Sequence, residues 1–390
     1  IIATSRARLK IGAESEFPLP PLDLPASDSM ALEELAEIPS VALVLQRAGK
    51  VKPGFALDDF NAEAIVAICR RLDGLPLALE LAAARLRILE PAALLQRLDD
   101  ALDLLVSGDR DLPDRQRTLR ATIEWSHSLL DPAEQQALRL TSVFDNGWTL
   151  EAMERVCFGD KERHRALDVL DSLIEKGLVS VVGGGGRYML LETIRAFAAE
   201  QLESGDETTS ARDAHADFYL DLAAQVASDM RRPTQCEAMQ RAWDDNANLL
   251  AAAHWLIERA RSGDTSALEK GLLLCGHLNW FWHIGGQHVT GRELLDALLE
   301  LSVEAEPSRG RALALLAAGM ISTVTGEWDR SIREYGQAID LAPDYPETYF
   351  NRGYAHQVLG NHAHAIADLR QFLSFEVHWN EEMVAQAEAH

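Results

Sequence analysis

The sequence predicts a mainly α-helical chain that contains one short β-hairpin and ends in tandem helical repeats. Three observations lead to this prediction. Apolar residues recur at helical spacing along most of the chain. Four glycines at 183–186 separate two short β-prone runs. The last part of the sequence superposes on itself at a spacing of 34 residues.

The composition limits the classes of function. Asp and Glu total 61 against 37 Lys and Arg, a formal charge of -24 that repels phosphate backbones and predicts no direct nucleic acid contact. The four cysteines form no C-x-x-C pair, which argues against a disulfide framework or zinc site and fits a reducing compartment. Since no apolar run approaches the ~18 residues that span a bilayer, we expect a cytoplasmic chain without membrane contact.

The first element is a short buried strand, "IIATSR", that runs into a polar turn. A chain that starts at Ile1 inside such an element is expected to be a fragment of a longer protein. Arg6 would lie at the carboxyl end of a sheet, where α/β nucleotide sites hold their ligands and where arginine can pair with phosphate. A surface arginine after an edge strand is the alternative, and the sequence leaves both open.

A helix-turn-helix arrangement follows. Residues 29–47 predict two short helices interrupted by Pro39, and Asn61 is a candidate N-cap for the next helix. Gly74 stands where a left-handed C′ residue would end that helix, and Pro76 stands in the first turn of the following one. By themselves these residues predict only a tight turn.

The middle of the chain has the order of a winged helix. The strands predicted at Leu178–Val182 and Arg187–Leu190 follow a series of helices and precede a closing helix. Lys176 is the lone cation among acidic residues on the preceding helix, so internal packing is predicted rather than groove binding. The helices are expected near 118–130, 133–141, 149–157 and 163–176.

The period of 34 residues is that of tetratricopeptide repeats. Small residues would let the two helices of a repeat approach, and larger ones would fill the space between them. The helices before the two clear repeats are predicted to stack on them as degenerate repeats. The equivalent positions are Gly319 with Gly353, Gly326 with Gly360, Ser331 with Ala365, and Tyr335 with Leu369.

The sequence offers little catalytic chemistry. It contains no G-x-x-x-x-G-K-[ST] phosphate loop and no G-x-S-x-G elbow. The two groups of histidines lack the i, i+4 pair with a flanking carboxylate that a helical zinc site uses. We therefore predict no catalytic residue and no metal ligand. The histidines considered are His277, His283, His288, His356, His362 and His364.

Several motifs in order resemble bacterial signal-transduction ATPases with numerous domains, the STAND class: "IIATSR", "FPLPPLDLP", "RLDGLPLALELAAARL", "RQRTLRATIEWSHSLL", "LDSLIEKGLV" and "RYMLLETIRAFAAEQL". The chain is most similar to the ATPases that accompany LuxR-type or antibiotic-regulatory-type transcription factors. The resemblance implies a truncated P-loop nucleotide-binding domain, a helical domain bearing Gly-Leu-Pro-Leu, a winged helix, degenerate repeats and two tetratricopeptide repeats. The implied boundaries are 1–26, 27–112, 113–206, 207–310 and 311–380.

The resemblance also implies a nucleotide site that holds ADP or ATP with magnesium in the full-length protein. It makes Arg6 the sensor arginine that faces the terminal phosphate and Pro76 the ring that packs on adenine. Gly74 would allow the close turn, while Leu75 and Leu77 would point into the helical core. The P-loop lysine and the magnesium-binding acidic strand would precede residue 1. The full-length protein would then be a slow regulatory ATPase, and the fragment would not hydrolyse ATP.

One departure concerns the winged helix. Related domains carry a Met-His-Asp triplet whose histidine touches the phosphate, and here Leu190, Leu191 and Glu192 take those places. Leu191 cannot donate that hydrogen bond, although Arg187 or Arg195 could substitute.

The function implied is a nucleotide switch that regulates transcription through an effector domain outside the chain. Its repeats would sense a protein or peptide, and the active form could be an oligomer. The alternative is a helical protein-protein interaction scaffold with no working nucleotide site.

Overall fold

The computed structural model describes residues 20–26, 30–98, 119–182, 186–230 and 232–375. The chain divides into two compact units, Ile1–Ala211 and Arg212–His390. In the described part of the chain, no helix is long and apolar enough to cross a membrane. The strand predicted at the start of the sequence, with its α/β domain, lies outside the described residues.

The first unit opens with five helices, several of which begin at a proline. Proline is favoured there because its fixed φ suits the first turn and its missing N–H needs no partner. The two short helices predicted on either side of Pro39 are confirmed. The helices are α1 (Leu32–Glu37), α2 (Pro39–Val51), α3 (Ala62–Arg71), α4 (Pro76–Arg85) and α5 (Pro91–Leu98).

The predicted capping role of Asn61 is wrong. Its φ of -115° and ψ of -13° are not the extended geometry of a capping residue, and its side chain makes no cap hydrogen bond. Instead, Asn61 Oδ1 accepts the Asp58 N–H at 3.1 Å and its Nδ2 donates to the Ala56 carbonyl at 2.9 Å. Asn61 therefore braces the turn before α3.

The rest of the first unit is a winged-helix arrangement. Its sheet has the order β1-β3-β2, and both strand pairs are antiparallel, with Val179 opposite Leu190. The predicted hairpin is confirmed. The elements are α6 (Leu119–Ser128), α7 (Pro132–Thr141), β1 (Trp148–Thr149), α8 (Leu150–Met153), α9 (Gly159–Glu162), α10 (Ala166–Glu175), β2 (Val179–Val182), β3 (Arg187–Leu190) and α11 (Glu192–Ser204).

Strand β1 was not predicted, since a helix was expected from residue 149. Trp148 pairs with Tyr188 of β3 and is buried, so two residues before α8 complete the sheet. Such a strand is too short to show a period of two in sequence. The expected helix is also broken, because one turn of π-helix covers Glu154–Phe158 between α8 and α9.

The two halves of the first unit share apolar packing. Ile65 and Ile68 of α3 and Leu79 of α4 are fully buried in the core of the first five helices. Ile123 of α6 and Phe197 of α11 belong to the same cluster and are 5% and 2% exposed. The closing helix of the winged-helix domain is thus anchored by burial in the core of α2, α3 and α4.

The second unit begins within α12 and is helical throughout its described residues. The predicted pairing within repeats is confirmed: a Cβ on Gly319 would lie 2.5 Å from the Tyr335 ring, and one on Gly353 would lie 3.1 Å from Leu369. The helices are α12 (Thr208–Asp229), α13 (Gln235–Asp244), α14 (Asn246–Arg261), α15 (Thr265–His277), α16 (Asn279–Gly285), α17 (His288–Leu301), α18 (Arg309–Val324), α19 (Trp328–Leu341), α20 (Pro346–Val358) and α21 (His362–Leu373).

Candidate functional site

The candidate site centres on the connection between α3 and α4, residues 72–77, here called the GLPL turn. Asp73 and Gly74 both have left-handed backbones, with φ of +52° and +65°. The Gly74 N–H donates to the Cys69 carbonyl at 3.2 Å, and the Leu75 N–H donates to Leu72 at 2.9 Å. The sequence placed Gly74 at C′, but the structure places Asp73 there and Gly74 next, because α3 ends earlier than predicted.

Gly74 is required by a close approach as well as by its backbone. The Leu22 N–H donates to the Gly74 carbonyl at 3.0 Å. A Cβ on Gly74 would lie 2.2 Å from the Leu22 carbonyl oxygen, which no real Cβ tolerates. The extended segment 20–26 therefore lies directly on the GLPL turn, at a distance only glycine permits.

Two further contacts hold this segment. Ser40 Oγ donates to the Asp23 carbonyl at 2.7 Å. The Arg70 guanidinium donates to the Pro25 carbonyl through Nε at 3.1 Å and Nη2 at 2.9 Å. These contacts were not predicted from the sequence. The proline-rich composition of the segment was the available signal, since it favours an extended backbone with unpaired carbonyls.

The other predicted site residues take three different environments. Leu75 and Leu77 are half-buried and pack against the apolar core. Pro76 is exposed at the first position of α4. Arg6 lies outside the described residues. The structure therefore brings four of the five predicted residues together in one turn, with the proline ring open to solvent.

The N-terminus of α11 lies against the GLPL turn. Leu191 occupies the capping position of α11 and has no side-chain oxygen to offer. The Asp73 carboxylate supplies one instead, accepting the Thr193 N–H at 3.4 Å. Asp73, from the turn between α3 and α4, thus caps the N-terminus of α11 in the winged-helix domain. Sequence reasoning missed Asp73; the leucine before an acidic first turn was the only hint.

Glu192 joins two arginines at the same place. Arg71 Nη1 lies 2.8 Å from Glu192 Oε1, across the contact between α3 and α11. Arg195, one turn along α11, donates to both carboxylate oxygens of Glu192 at 2.8 and 2.7 Å. The hydrogen bond from Arg195 lowers the pKa of Glu192, and the same bond raises the pKa of Arg195.

The pKa of Asp73 is shifted in the opposite direction to that of Glu192. Burial raises its pKa to about 6, outweighing the backbone N–H groups of Thr193 and Glu192 and the charge of Arg71 that act to lower it. The charge of Glu192 contributes in the same direction as burial. The ionised Asp73 carboxylate is therefore less well accommodated here than in water.

A cleft of about 180 Å³ adjoins these residues. Three carboxylates, from Asp73, Asp145 and Glu192, line it beside the single cation of Arg195. Arg195 is already hydrogen-bonded to Glu192, and Arg187 donates to the Gly147 carbonyl at 3.4 Å. A phosphate reaching this cleft would have to displace those partners, so it is no ready phosphate site by itself.

The other candidates have structural partners. Lys176 Nζ lies 2.5 and 2.6 Å from the carboxylate oxygens of the buried Glu134, consistent with its predicted packing role. The rings of His356 and His364 stack at 5.0 Å, and those of His283 and His288 meet edge-on at 6.4 Å. Across the residues with described positions, no three His, Cys, Asp or Glu side chains are placed to hold a metal ion.

The described chain combines a three-stranded winged helix with paired antiparallel helices of the tetratricopeptide type. The winged helix-turn-helix domain family model matches residues 130–203, and the tetratricopeptide repeat model matches residues 324–360. Both assignments agree with the architecture observed.

Two curated relatives are similar to the chain over part of their length. The chain is 37% identical over 331 residues to a Mycobacterium tuberculosis protein whose name describes it as a candidate HTH-type transcriptional regulator, covering 83% of this chain and 35% of that protein. It is 30% identical over 216 residues to the regulatory protein AfsR of Streptomyces griseus, covering 53% of this chain and 20% of AfsR. The chain thus spans about a third, or less, of the length of these relatives.

A solved structure of a STAND protein with a tetratricopeptide repeat sensor, from Pyrococcus horikoshii, also matches. It is 15% identical, covers 90% of this chain and 61% of its own, and superposes with a TM-score of 0.24. At that score the superposition carries no argument about the fold. Along its matched residues the chain is similar to AfsR and to the HTH-type regulator, and it contains the winged-helix and tetratricopeptide segments that the two family models match.

Proposed function

We propose that this chain is the regulatory part of a nucleotide-dependent switch that controls transcription. The observation that carries the proposal is the GLPL turn, where Gly74 fixes a close approach and presents Pro76 exposed at the start of α4. A proline ring is an apolar surface whose backbone is already fixed, so it can stack on a base without further loss of entropy.

The rest of the switch is proposed from the resemblance. ADP or ATP with magnesium would bind in the full-length protein, with Arg6 facing the terminal phosphate and Gly74, Leu75, Pro76 and Leu77 forming the wall behind the base. Nucleotide exchange would shift the first unit between two states, and a ligand with different affinity for those states would bias them. Hydrolysis would be slow and regulatory.

Partners follow from the repeats and the relatives. The tetratricopeptide repeats would hold a protein or peptide, since stacked repeats offer extended surfaces rather than closed pockets. The effector that reads DNA would be a separate domain, since the exposed residues of α10 include Asp168 and Asp171 while Lys176 is paired internally. A cytoplasmic location and an oligomeric active form complete the proposal.

Nucleotide titration of the full-length protein tests it. ADP affinity should fall in Arg6→Ala and in Pro76→Ala. The matched control is Pro132→Ala, because Pro132 is also an exposed proline at the first position of a helix, in the winged-helix domain rather than in the GLPL turn. Unchanged affinity in both test variants would leave the nucleotide proposal without support.

A helical interaction scaffold is the second candidate function. The excess of carboxylates in the cleft favours it, since those groups would repel a phosphate. On this reading, the wild-type protein shows no saturable ADP binding, and the repeats still capture their protein ligand with the same affinity in the presence or absence of nucleotide.

A further inference from the structure

The first turn of α11 meets the GLPL turn through polar groups, whereas its middle is held by apolar burial. Arg71 and Asp73 contact Glu192 and Thr193 at distances of 2.8 and 3.4 Å. One turn further along, Phe197 is buried in the core formed by α2, α3 and α4. Separating the first turn of α11 from the GLPL turn therefore breaks polar contacts, whereas separating the middle of α11 would expose Phe197.

We propose that Arg71 and Asp73 form a latch that holds the first turn of α11 on the GLPL turn and transmits occupancy of that turn to the winged-helix domain. The transmission half of the proposal rests on the proposed function. The latch itself does not, because it is a contact between two described parts of the chain.

The latch is weak enough to open. The side chains of Arg71 and Glu192 are 35% and 25% exposed, so water competes for their ion pair. Burial disfavours the ionised Asp73 carboxylate, so its bond to Thr193 adds little net stability. Opening the first turn of α11 breaks these polar contacts and exposes the buried Thr193 and Ile194, while Phe197 can stay in the core as a pivot.

The latch is also connected directly to the proposed ligand surface. Asp73 directly precedes Gly74 in one turn, and both residues have left-handed backbones. A ligand that moves Gly74 or stacks on Pro76 changes the position of the Asp73 carboxylate by rotation of one or two backbone bonds. No chain of intermediate side chains is needed.

Hydrogen exchange of the full chain, read in peptides covering 191–198, tests the latch without nucleotide. Arg71→Gln should speed exchange there by about threefold to fivefold, the range of a partly exposed ion pair. Arg195→Gln is the matched control, since Arg195 binds the same carboxylate from within α11 and its other charge interaction, with Asp145, stays inside the winged-helix domain. It should change exchange by less than twofold.

A second comparison separates the latch from a general loss of structure. In the double variant Arg71→Gln with Glu192→Gln, exchange should be no faster than in the faster single variant, because both substitutions break one contact. Equal acceleration in Arg71→Gln and Arg195→Gln, or full additivity in the double variant, would overturn the latch.

The transmission half is tested with ADP in the full-length protein. ADP should change exchange at 191–198 in wild type, and this response should be lost in Arg71→Gln while ADP affinity stays within twofold. A response of equal size in both proteins would refute transmission. If wild type binds no ADP, the proposed function and the transmission fail together, and the nucleotide-free comparison still decides the latch.

Discussion

Replacing Gly74 with alanine tests the geometry on which the candidate site depends. Alanine in the left-handed region is destabilised by roughly 1 to 2 kcal/mol. The new Cβ would also lie 2.2 Å from the Leu22 carbonyl oxygen, so segment 20–26 must move away. That movement breaks the 3.0 Å bond from the Leu22 N–H, a loss of about 1 kcal/mol. The expected total is about 2 to 3 kcal/mol.

Gly54→Ala isolates the contribution of the close approach. Gly54 has a φ of +87°, but nothing lies within 4 Å of the Cβ it would carry. It should therefore show only the backbone effect, roughly 1 to 2 kcal/mol. Urea denaturation gives the free energy of unfolding, and hydrogen exchange of the Leu22 amide reports the broken bond. If Gly74→Ala is no more destabilising than Gly54→Ala, or if Leu22 stays protected, the reasoning is refuted.

Three further predictions concern burial and charge. Gly319→Ala should destabilise the repeats by about 2 kcal/mol through overpacking against Tyr335. Gly353→Ala meets a less close neighbour, Leu369, and should change the free energy of unfolding by less than about 1 kcal/mol. Urea denaturation measures both. Glu334→Ala removes the buried carboxylate partner of Arg292, which keeps only the more exposed Asp296 as an ionic partner, and should lower stability by about 2 kcal/mol. Asp344→Ala, which removes an exposed ion pair, should stay within about 0.5 kcal/mol in the same assay. The contribution of Asp73 to stability should decrease as pH rises from about 4 towards about 6, because its pKa is raised in the folded state, and Asp73→Asn should remove this contribution from the pH profile.

The sign of the pH prediction follows from proton binding. The folded protein holds a proton on Asp73 up to about pH 6, whereas the unfolded chain releases it near ~3.9. Between those values the folded state binds more protons, so its stability decreases as pH increases. Identical pH profiles of wild type and Asp73→Asn would contradict this. Equal losses in Gly319→Ala and Gly353→Ala, or in Glu334→Ala and Asp344→Ala, would contradict the packing and charge predictions.

Elements with strong local signals were predictable. Pro39 separates two helices, the glycine-rich connection joins a hairpin, and the 34-residue period gives two helix pairs with Tyr335 against Gly319. In each case the residues that decide the structure are close in sequence or recur with a fixed spacing. Asn61 shows the limit, because whether its side chain caps a helix depends on a backbone angle that its identity does not fix.

The sequence by itself predicted a winged helix before the tetratricopeptide repeats, and a left-handed glycine and a helix-starting proline in the GLPL turn. Only the tertiary structure decided why that glycine is needed, because Leu22 lies 52 positions away in the chain and reaches Gly74 through folding. The same holds for Asp73, whose partner Thr193 is 120 positions away. Local propensities are set by neighbouring residues, whereas a backbone contact or a cap supplied from elsewhere depends on how separate elements pack.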